Sequence, residues 1–166
     1  MSTTSTVTLT MKRQFVVSPE QVFDAWLDPH SMKKWLFTLE TTNKVTQNDP
    51  RVGGTWEIVD HRQGKDYRAI GEYLKINRPG TLIFTFEMPQ FSDTQDIITV
   101  SIMANEQGSE MTFTQEMVVP HEEGWTADDI EKAEREYITG SEQGWSLMFD
   151  GLKQLLETGK IDYPLQ

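Results

Sequence analysis

Two hydrophobic periodicities follow each other along the chain, and their order predicts its elements. Residues 7–17 carry β-branched and aromatic side chains in loose alternation, which is typical of a strand. Ser18-Pro19-Glu20-Gln21 has the spacing of a capping box, and apolar residues then recur at helical spacing up to Leu27. Asp28-Pro29 ends this helix. A second short helix is predicted to end at Trp35.

The middle of the chain has the pattern of an antiparallel meander. From residue 39 onward, runs rich in β-branched and aromatic residues are separated by short turns, which predicts about six strands. Pro79-Gly80 favours a type II turn between two of them. Because side chains alternate across a strand, each strand has one apolar face. The predicted rows are Trp56 and Ile58; Leu82, Phe84 and Phe86; Ile98, Val100 and Ile102; and Met111, Phe113, Gln115 and Met117.

The last third of the chain has helical periodicity. Thr126 and Asp129 have the spacing of a second capping box, and a first helical segment follows them up to Gly140. A stripe of apolar residues then predicts a separate helix of about 17 residues, roughly 25 Å long, which is enough to cross a sheet. Gly159 is predicted to end it. Residues 1–6 are expected to fray, and residues 160–166 to form a tail.

This order of elements predicts an α+β fold. A bent antiparallel sheet of about six to seven strands would grip the long C-terminal helix, and two short helices after the first strand would close one end. The length of 166 residues is that of a single domain, and we assign residues 1–166 to it. The chain has no apolar run long enough to span a membrane and no leader-like start, so we expect a cytoplasmic protein.

Composition and charge exclude several classes of function. The net charge of −11 repels phosphate backbones, so we expect neither nucleic acid nor an anionic membrane as a partner. It leaves attraction to a basic protein surface as an alternative. The chain has no cysteine, which removes disulfides and thiolate chemistry. The three histidines (His30, His61 and His121) lack metal-ligand spacing, and we predict no metal and no cofactor.

The aromatic rows are the most informative feature for function. Most of their side chains are expected to form the core, but a sheet bent around a helix often leaves an apolar pocket with a few polar groups. Gln115 is polar in an apolar row, so it needs a hydrogen-bond partner if it is buried: a ligand, a water or a neighbouring strand. The candidate ligand-binding residues are Trp35, Trp56, Ile58, Tyr73, Phe84, Phe86, Ile102, Phe113, Gln115, Trp145 and Phe149.

Five segments, in this order, resemble the signatures of one known family. The chain is similar to the stand-alone bacterial members of the activator of heat-shock-protein ATPase homologue family, which belongs to the START-like (SRPBCC, helix-grip) superfamily, together with the birch pollen allergen and polyketide cyclases. The segments are residues 22–29 with Trp35, residues 51–56, residues 71–76, residues 82–86, and Gly144-Trp145 with Phe149, Leu152 and Leu156.

The resemblance implies a hydrophobic cavity between the sheet and the long helix. Gln115 stands where relatives often carry histidine, which weakens an acid–base role there. Residues 122–141 are longer than the corresponding segment of relatives, and we expect them to form a flap or an extra helix over one mouth of the cavity. Eukaryotic relatives stimulate the ninety-kilodalton chaperone through a longer, two-domain architecture, so we do not expect chaperone activation from a chain of this length.

Three functions follow from these observations. The first is non-enzymatic binding of a small apolar or aromatic molecule, such as a lipid, flavonoid or polyketide-like compound. The second is a co-chaperone or other protein-interaction module, motivated by the family and by the acidic charge. The third is a cyclase- or hydrolase-type enzyme that orients a reactive substrate. Its candidate residues are Asp60, Arg68, Tyr73, Glu87 and Gln115. A monomer and a homodimer are both compatible with the sequence.

Overall fold

The computed structural model describes residues 3–162. Over that range it contains seven strands and three helices, in the predicted order. Their bounds are β1 (Thr4–Phe15), α1 (Pro19–Leu27), α2 (Pro29–Trp35), β2 (Asn43–Asn48), β3 (Thr55–Arg62), β4 (Lys65–Asn77), β5 (Thr81–Phe86), β6 (Asp96–Asn105), β7 (Gly108–Pro120) and α3 (Ala127–Thr158).

All seven strands form one antiparallel sheet in the order β1-β7-β6-β5-β4-β3-β2. The first strand therefore pairs with the last, and the two short helices connect the opposite edges of the sheet. Helix α3 packs against β1, β7, α1 and α2. The predicted α+β helix-grip fold, with a sheet around a long C-terminal helix, is confirmed.

The two short helices form where their capping residues are. The Ser18 hydroxyl accepts a hydrogen bond from the Gln21 N–H at 3.3 Å, and the Gln21 side chain accepts one from the Ser18 N–H, which completes the predicted capping box. Asp28 ends α1, and its carboxylate accepts a hydrogen bond from the His30 N–H at 3.0 Å at the start of α2. These caps point the apolar face of α1, including Trp26, into the core.

Helix α3 is longer than predicted. It is one continuous helix of 32 residues, about 48 Å long at 1.5 Å per residue, and Gly140 lies inside it. A single glycine costs a helix only about 1 kcal/mol relative to alanine. The first half is held by its capping box and by the Ser5 hydroxyl, which donates to Glu134 at 2.6 Å. The predicted break at Gly140 is wrong, and most of the expected flap is the first half of α3.

The start of the chain is more ordered than predicted. Residues 4–6, which we expected to fray, belong to β1 and pair with residues 118–120 of β7. The ladder hydrogen bonds to β7 explain this difference, since the neighbouring strand comes from far along the sequence. Residues 1–2 and 163–166 lie outside the described residues, and residues 160–162 follow the C-cap Gly159.

Strand β4 changes face within its length. Its pairing with β5 shifts register between Tyr73 and Lys75. Tyr73 is buried, Leu74 and Lys75 are exposed, and Ile76 packs against the core. A bulge therefore inserts one residue and moves the inward positions by one. In the turn that follows, the Arg78–Pro79 peptide is cis, so the predicted type II turn is wrong.

Candidate functional site

The inward aromatic side chains pack against one another. The ring centroids of Phe113 and Trp145 are 4.5 Å apart, and those of Phe113 and Phe149 are 5.2 Å apart. Trp26 lies in the same cluster, with its centroid 4.8 Å from that of Trp35. Edge-to-face and tilted contacts at these distances are typical of a close-packed core. The centre of the grip is therefore occupied by side chains.

The eleven candidate ligand-binding residues do not lie around one open space. Trp35 lines a cavity of about 670 Å³, and Trp56 lines a smaller one of about 340 Å³. The other nine line neither of the two cavities. Eight of these nine are buried and Phe86 is half-buried, so their structural role is in the core: Ile58, Tyr73, Phe84, Phe86, Ile102, Phe113, Gln115, Trp145 and Phe149. Direct ligand contact by these residues stays a prediction.

The larger cavity lies at one end of the grip and has a volume of about 670 Å³. It opens between α3, the segment of residues 36–42 that follows α2, and the ends of β3 and β4 next to their connecting turn. Most of its wall is apolar. The lining residues are Lys34, Trp35, Phe37, Thr38, Leu39, Thr41, Asp60, Arg62, Tyr67, Met88, Gly144, Leu147, Met148, Gly151 and Ile161.

The α3 wall of this cavity is built around two glycines. Gly144 and Gly151 are seven residues apart and therefore lie on one face of the helix, together with Leu147 and Met148. A Cβ atom placed on Gly144 would have no neighbouring atom within 4 Å. Gly144 therefore leaves this part of the cavity wall without a side chain.

Phe37 forms the opposite wall and joins the cavity to the core. Its φ of 60° is rare for a bulky residue, and its backbone N–H donates a hydrogen bond to the Met148 sulfur at 3.2 Å. The Phe37 ring stacks on Phe86, with centroids 4.8 Å apart, and on Trp56 at 5.9 Å. An unusual backbone conformation held by such contacts often occurs at functional sites.

The polar end of the cavity is organised by Asp60, which is 2% exposed. One carboxylate oxygen accepts hydrogen bonds from the hydroxyls of Thr38, at 2.8 Å, and Thr42. The other oxygen forms an ion pair with Nε of Arg62 at 2.5 Å. The Arg62 guanidinium also lies over the Tyr67 ring, 4.7 Å from its centroid. A buried carboxylate with three partners can hold an arginine in one orientation.

Most of this site was not predicted from the sequence. Phe37, Arg62 and Tyr67 were not among the candidate ligand-binding residues. The spacing of Gly144 and Gly151 on one face of α3 could have indicated a helix face with room for a ligand. The loop residues Phe37 and Thr38 carried no recognisable pattern, because only the tertiary packing brings them against α3.

The smaller cavity, of about 340 Å³, lies where β2, β3, β4 and β5 come together. Arg68 and Glu57 both line it and form an ion pair at 2.5 Å, and Glu87 lies at its edge. Two candidates for the enzyme alternative are therefore here, whereas Asp60 lines the larger cavity. The other two, Tyr73 and Gln115, line neither of them. The five residues do not converge on one site.

The Tyr73 hydroxyl is protonated and acts as a hydrogen-bond donor. Its hydroxyl donates to the Asn48 side chain at 2.6 Å, and it is 2% exposed. Burial raises the pKa of the Tyr73 phenol well above its ordinary value of 10.0, and the hydrogen bond to Asn48 offsets only part of this. Tyr73 therefore contributes a structural hydrogen bond beneath the β4 bulge.

Gln115 finds its hydrogen-bond partners within the protein. Its side-chain oxygen accepts from the Trp145 indole N–H at 3.0 Å, and its amide donates to Asp96 at 2.9 Å. Burial raises the pKa of Asp96 above its ordinary value of 3.8, and hydrogen bonds from the Val118 N–H and from Gln115 partly offset this rise. Gln115 thus ties α3 to β7 and to the start of β6.

Replacing Gln115 with leucine is expected to lower the free energy of unfolding by about 1–3 kcal/mol at neutral pH, since the Trp145 N–H loses its acceptor and Asp96 a donor. The folded-state pKa of Asp96 then rises further. Ionised Asp96 therefore costs more at neutral pH, and this extra cost disappears as Asp96 is protonated in acid. Urea unfolding across the acid range checks both effects.

The exposed Gln95, which donates to Glu87 at 3.3 Å, provides the matched control. We expect Gln95→Leu to leave the free energy of unfolding within about 0.5 kcal/mol of the wild type. A loss for Gln115→Leu that is the same at every pH would contradict the link between Gln115 and Asp96.

Among residues 3–162, no group of three or more metal-ligating side chains could hold a metal ion. His61 contacts Asp66 at 2.6 Å, and His121 contacts Ser5 at 2.9 Å.

Within residues 3–162, none of the helices is both long and apolar enough to cross a membrane. Phe91, an exposed apolar residue of the kind found at protein-interaction surfaces, is 66% exposed, and its ring centroid lies 6.2 Å from that of Tyr67.

Solved structures of bacterial proteins are similar to this chain. A protein of unknown function from Staphylococcus aureus, SA2116, is 30% identical, with a TM-score of 0.88 over 94% of this chain and 96% of that one. Protein CV1439 from Chromobacterium violaceum is 24% identical and shares the fold, with a TM-score of 0.70 over 90% of this chain and 97% of the other.

The comparison with curated proteins returned no match. A family model described as "Activator of Hsp90 ATPase homolog 1-like protein" matches residues 16–157, which run from the residue after β1 to the last-but-one residue of α3. The order of strands and helices and the resemblance noted in the sequence agree with this match. The chain therefore belongs to the family of Activator of Hsp90 ATPase homolog 1-like proteins.

Proposed function

We propose that this protein binds a small apolar or aromatic molecule in the open cavity between α3 and residues 36–42. The cavity itself is the observation that carries this proposal. Its volume of about 670 Å³ falls within the range of roughly 300–1,000 Å³ that is typical of small-molecule sites. Its wall is mainly apolar and contains a few polar groups, which is also typical of such sites.

The side chains of the wall suit a ligand with an alkyl or aromatic body. Met88 and Met148 are unbranched and adaptable, so they can follow the shape of a ligand. Phe37 and Trp35 offer flat aromatic surfaces. Small hydrophobic ligands are common among START-like proteins, and this supports the same assignment.

The proposed ligand position differs from the one predicted from sequence. The centre of the grip is filled by Trp26, Phe113, Trp145 and Phe149, so the ligand would lie at its end, next to Phe37. The enzyme alternative has less support, because its five candidate residues lie in separate places. Binding without chemistry is the function that this geometry supports best.

Filling the cavity from the α3 side tests the proposal. In Gly144→Leu, the new side chain enters open space, so the expected result is a loss of ligand affinity of at least about tenfold. The melting temperature should not fall, because leucine favours the helix over glycine by about 0.8 kcal/mol. The measurement is titration with the fluorescent apolar probe anilinonaphthalene sulfonate, together with native mass spectrometry of the protein purified from cells.

Gly140→Leu is the matched control. Gly140 lies in the same helix, a Cβ there also meets nothing within 4 Å, and it does not line the cavity. We expect it to bind the probe like the wild type and to gain similar helix stability. If both variants bind the probe as the wild type does, or if neither the wild type nor the control binds it, the proposal is wrong.

A further inference from the structure

We propose that the molecule bound in this cavity is amphipathic and carries a carboxylate, which Arg62 binds. This inference rests on the proposed function and names the chemical class of its ligand. It follows from the charged groups at the polar end of the cavity, where Arg62 lines the wall and the Asp60 carboxylate already has three partners.

Asp60 does not offer a binding position for the ligand. It is 2% exposed, and both of its oxygens have partners: the hydroxyls of Thr38 and Thr42 on one, and Nε of Arg62 on the other. A buried carboxylate with three partners acts as an anchor. Its effect is to hold the guanidinium of Arg62 in place at the cavity wall.

Arg62 keeps free donors after this anchoring. Within residues 3–162, neither of its two terminal amino groups makes a hydrogen bond to another residue, and its ion pair with Asp60 at 2.5 Å involves Nε. The guanidinium also lies over the Tyr67 ring, with Cζ 4.7 Å from the ring centroid, which gives it a second contact. A planar guanidinium with two free amino groups matches the two oxygens of a carboxylate.

The remainder of the wall fits the rest of such a molecule. Beyond Arg62 the cavity is lined by Leu39, Met88, Leu147 and Met148, whose side chains offer contacts to an apolar chain or ring. The ammonium of Lys34 lies on the same wall and adds a second positive group, 3.9 Å from Glu40. An anionic head and an apolar tail would therefore each meet a complementary surface.

Three probes with the same alkyl chain and different head groups test the inference: decanoate, decanol and decylammonium. For the wild-type protein, we expect decanoate to bind about tenfold more tightly than decanol, and decylammonium to bind more weakly than either. Isothermal titration calorimetry gives each dissociation constant. The preference for decanoate should decrease as the salt concentration rises, because the Arg62 side chain is 54% exposed.

Arg62→Gln is expected to remove the preference, so that decanoate and decanol bind with similar constants. Arg68→Gln is the matched control: Arg68 is also a half-exposed arginine paired with a carboxylate at 2.5 Å, but it lines the smaller cavity. This control should keep the wild-type preference. If Arg62→Gln folds poorly, the comparison of the three probes on the wild-type protein still decides the question.

The outcomes separate this inference from the proposed function. Equal binding of decanoate and decanol by the wild type, abolished in both cases by Gly144→Leu, would overturn the carboxylate inference and leave the cavity as a binding site. An unchanged preference for decanoate in Arg62→Gln would likewise overturn the role of Arg62. Binding of none of the three probes, or binding that Gly144→Leu does not affect, would overturn both.

Discussion

Replacing Phe113 with alanine is expected to lower the free energy of unfolding by about 3–5 kcal/mol. Phe113 is fully buried, and its ring contacts those of Trp145 and Phe149 at centroid distances of 4.5 and 5.2 Å. Alanine would leave a void that this rigid aromatic cluster cannot close by relaxation. Since a small domain is stable by only about 5–15 kcal/mol, this is the largest effect we expect from a single truncation.

The same substitution distinguishes a core residue from a residue that lines a ligand cavity. If Phe113 lined a filled ligand site, truncation would mainly reduce ligand affinity. The structure places it in the core, so the loss should be measurable by urea unfolding of the protein without ligand. Phe91→Ala is the control, because Phe91 is 66% exposed and its removal should cost less than about 0.5 kcal/mol. Similar losses for both variants would contradict the assignment of Phe113 to the core.

Replacing Gly71 with alanine is the second large effect that we expect. A Cβ at this position would collide with the backbone oxygen of Thr85 on β5 and would come within 2.5 Å of the Trp56 indole nitrogen. Backbone atoms cannot move aside as a flexible side chain can, so β4 and β5 would have to separate. We expect a loss of about 3 kcal/mol, at the upper end of the usual cost of overpacking.

The thermal unfolding temperature and the NMR resonances of the β5 backbone amides check this expectation. Gly80→Ala is the matched control, because Gly80 lies in the turn between the same two strands and a Cβ there meets its nearest atoms at an ordinary 3.9 Å. We expect the control to unfold near the wild-type temperature, with β5 resonances unchanged. A Gly71→Ala variant that is as stable as Gly80→Ala would show that β4 and β5 can separate at little cost.

Local sequence signals predicted the elements that depend on neighbouring residues. The capping boxes at Ser18 and Thr126 predicted where α1 and α3 begin, and both were confirmed. Strict alternation in β6 and β7 predicted their inward faces, and residues such as Val100 and Phe113 are fully buried. Each signal acts over a few residues, so it can be read without knowledge of the fold.

Two features at intermediate range could not be predicted in this way. The length of α3 depends on whether the helix-breaking cost of one glycine exceeds the stabilisation from the contacts of the whole helix. At Gly140 this cost is too small to interrupt the helix. The face reversal at Leu74 depends on a bulge whose register is fixed by β5. In both cases packing against another element decides between local alternatives of similar energy.

The residue pattern alone was sufficient to predict the helix-grip fold, the apolar faces of its strands and the need of Gln115 for a partner. The location of the empty space was decided only by tertiary packing. The alternation of apolar and polar residues along a strand shows which side chains point inward. Whether these side chains fill the interior depends on the volumes of side chains from elements that are distant in sequence. Four aromatic rings from α1, β7 and α3 fill the centre. The cavity remains at the end of the grip, where it is lined by Gly144 on α3 and by residues of the 36–42 segment such as Phe37.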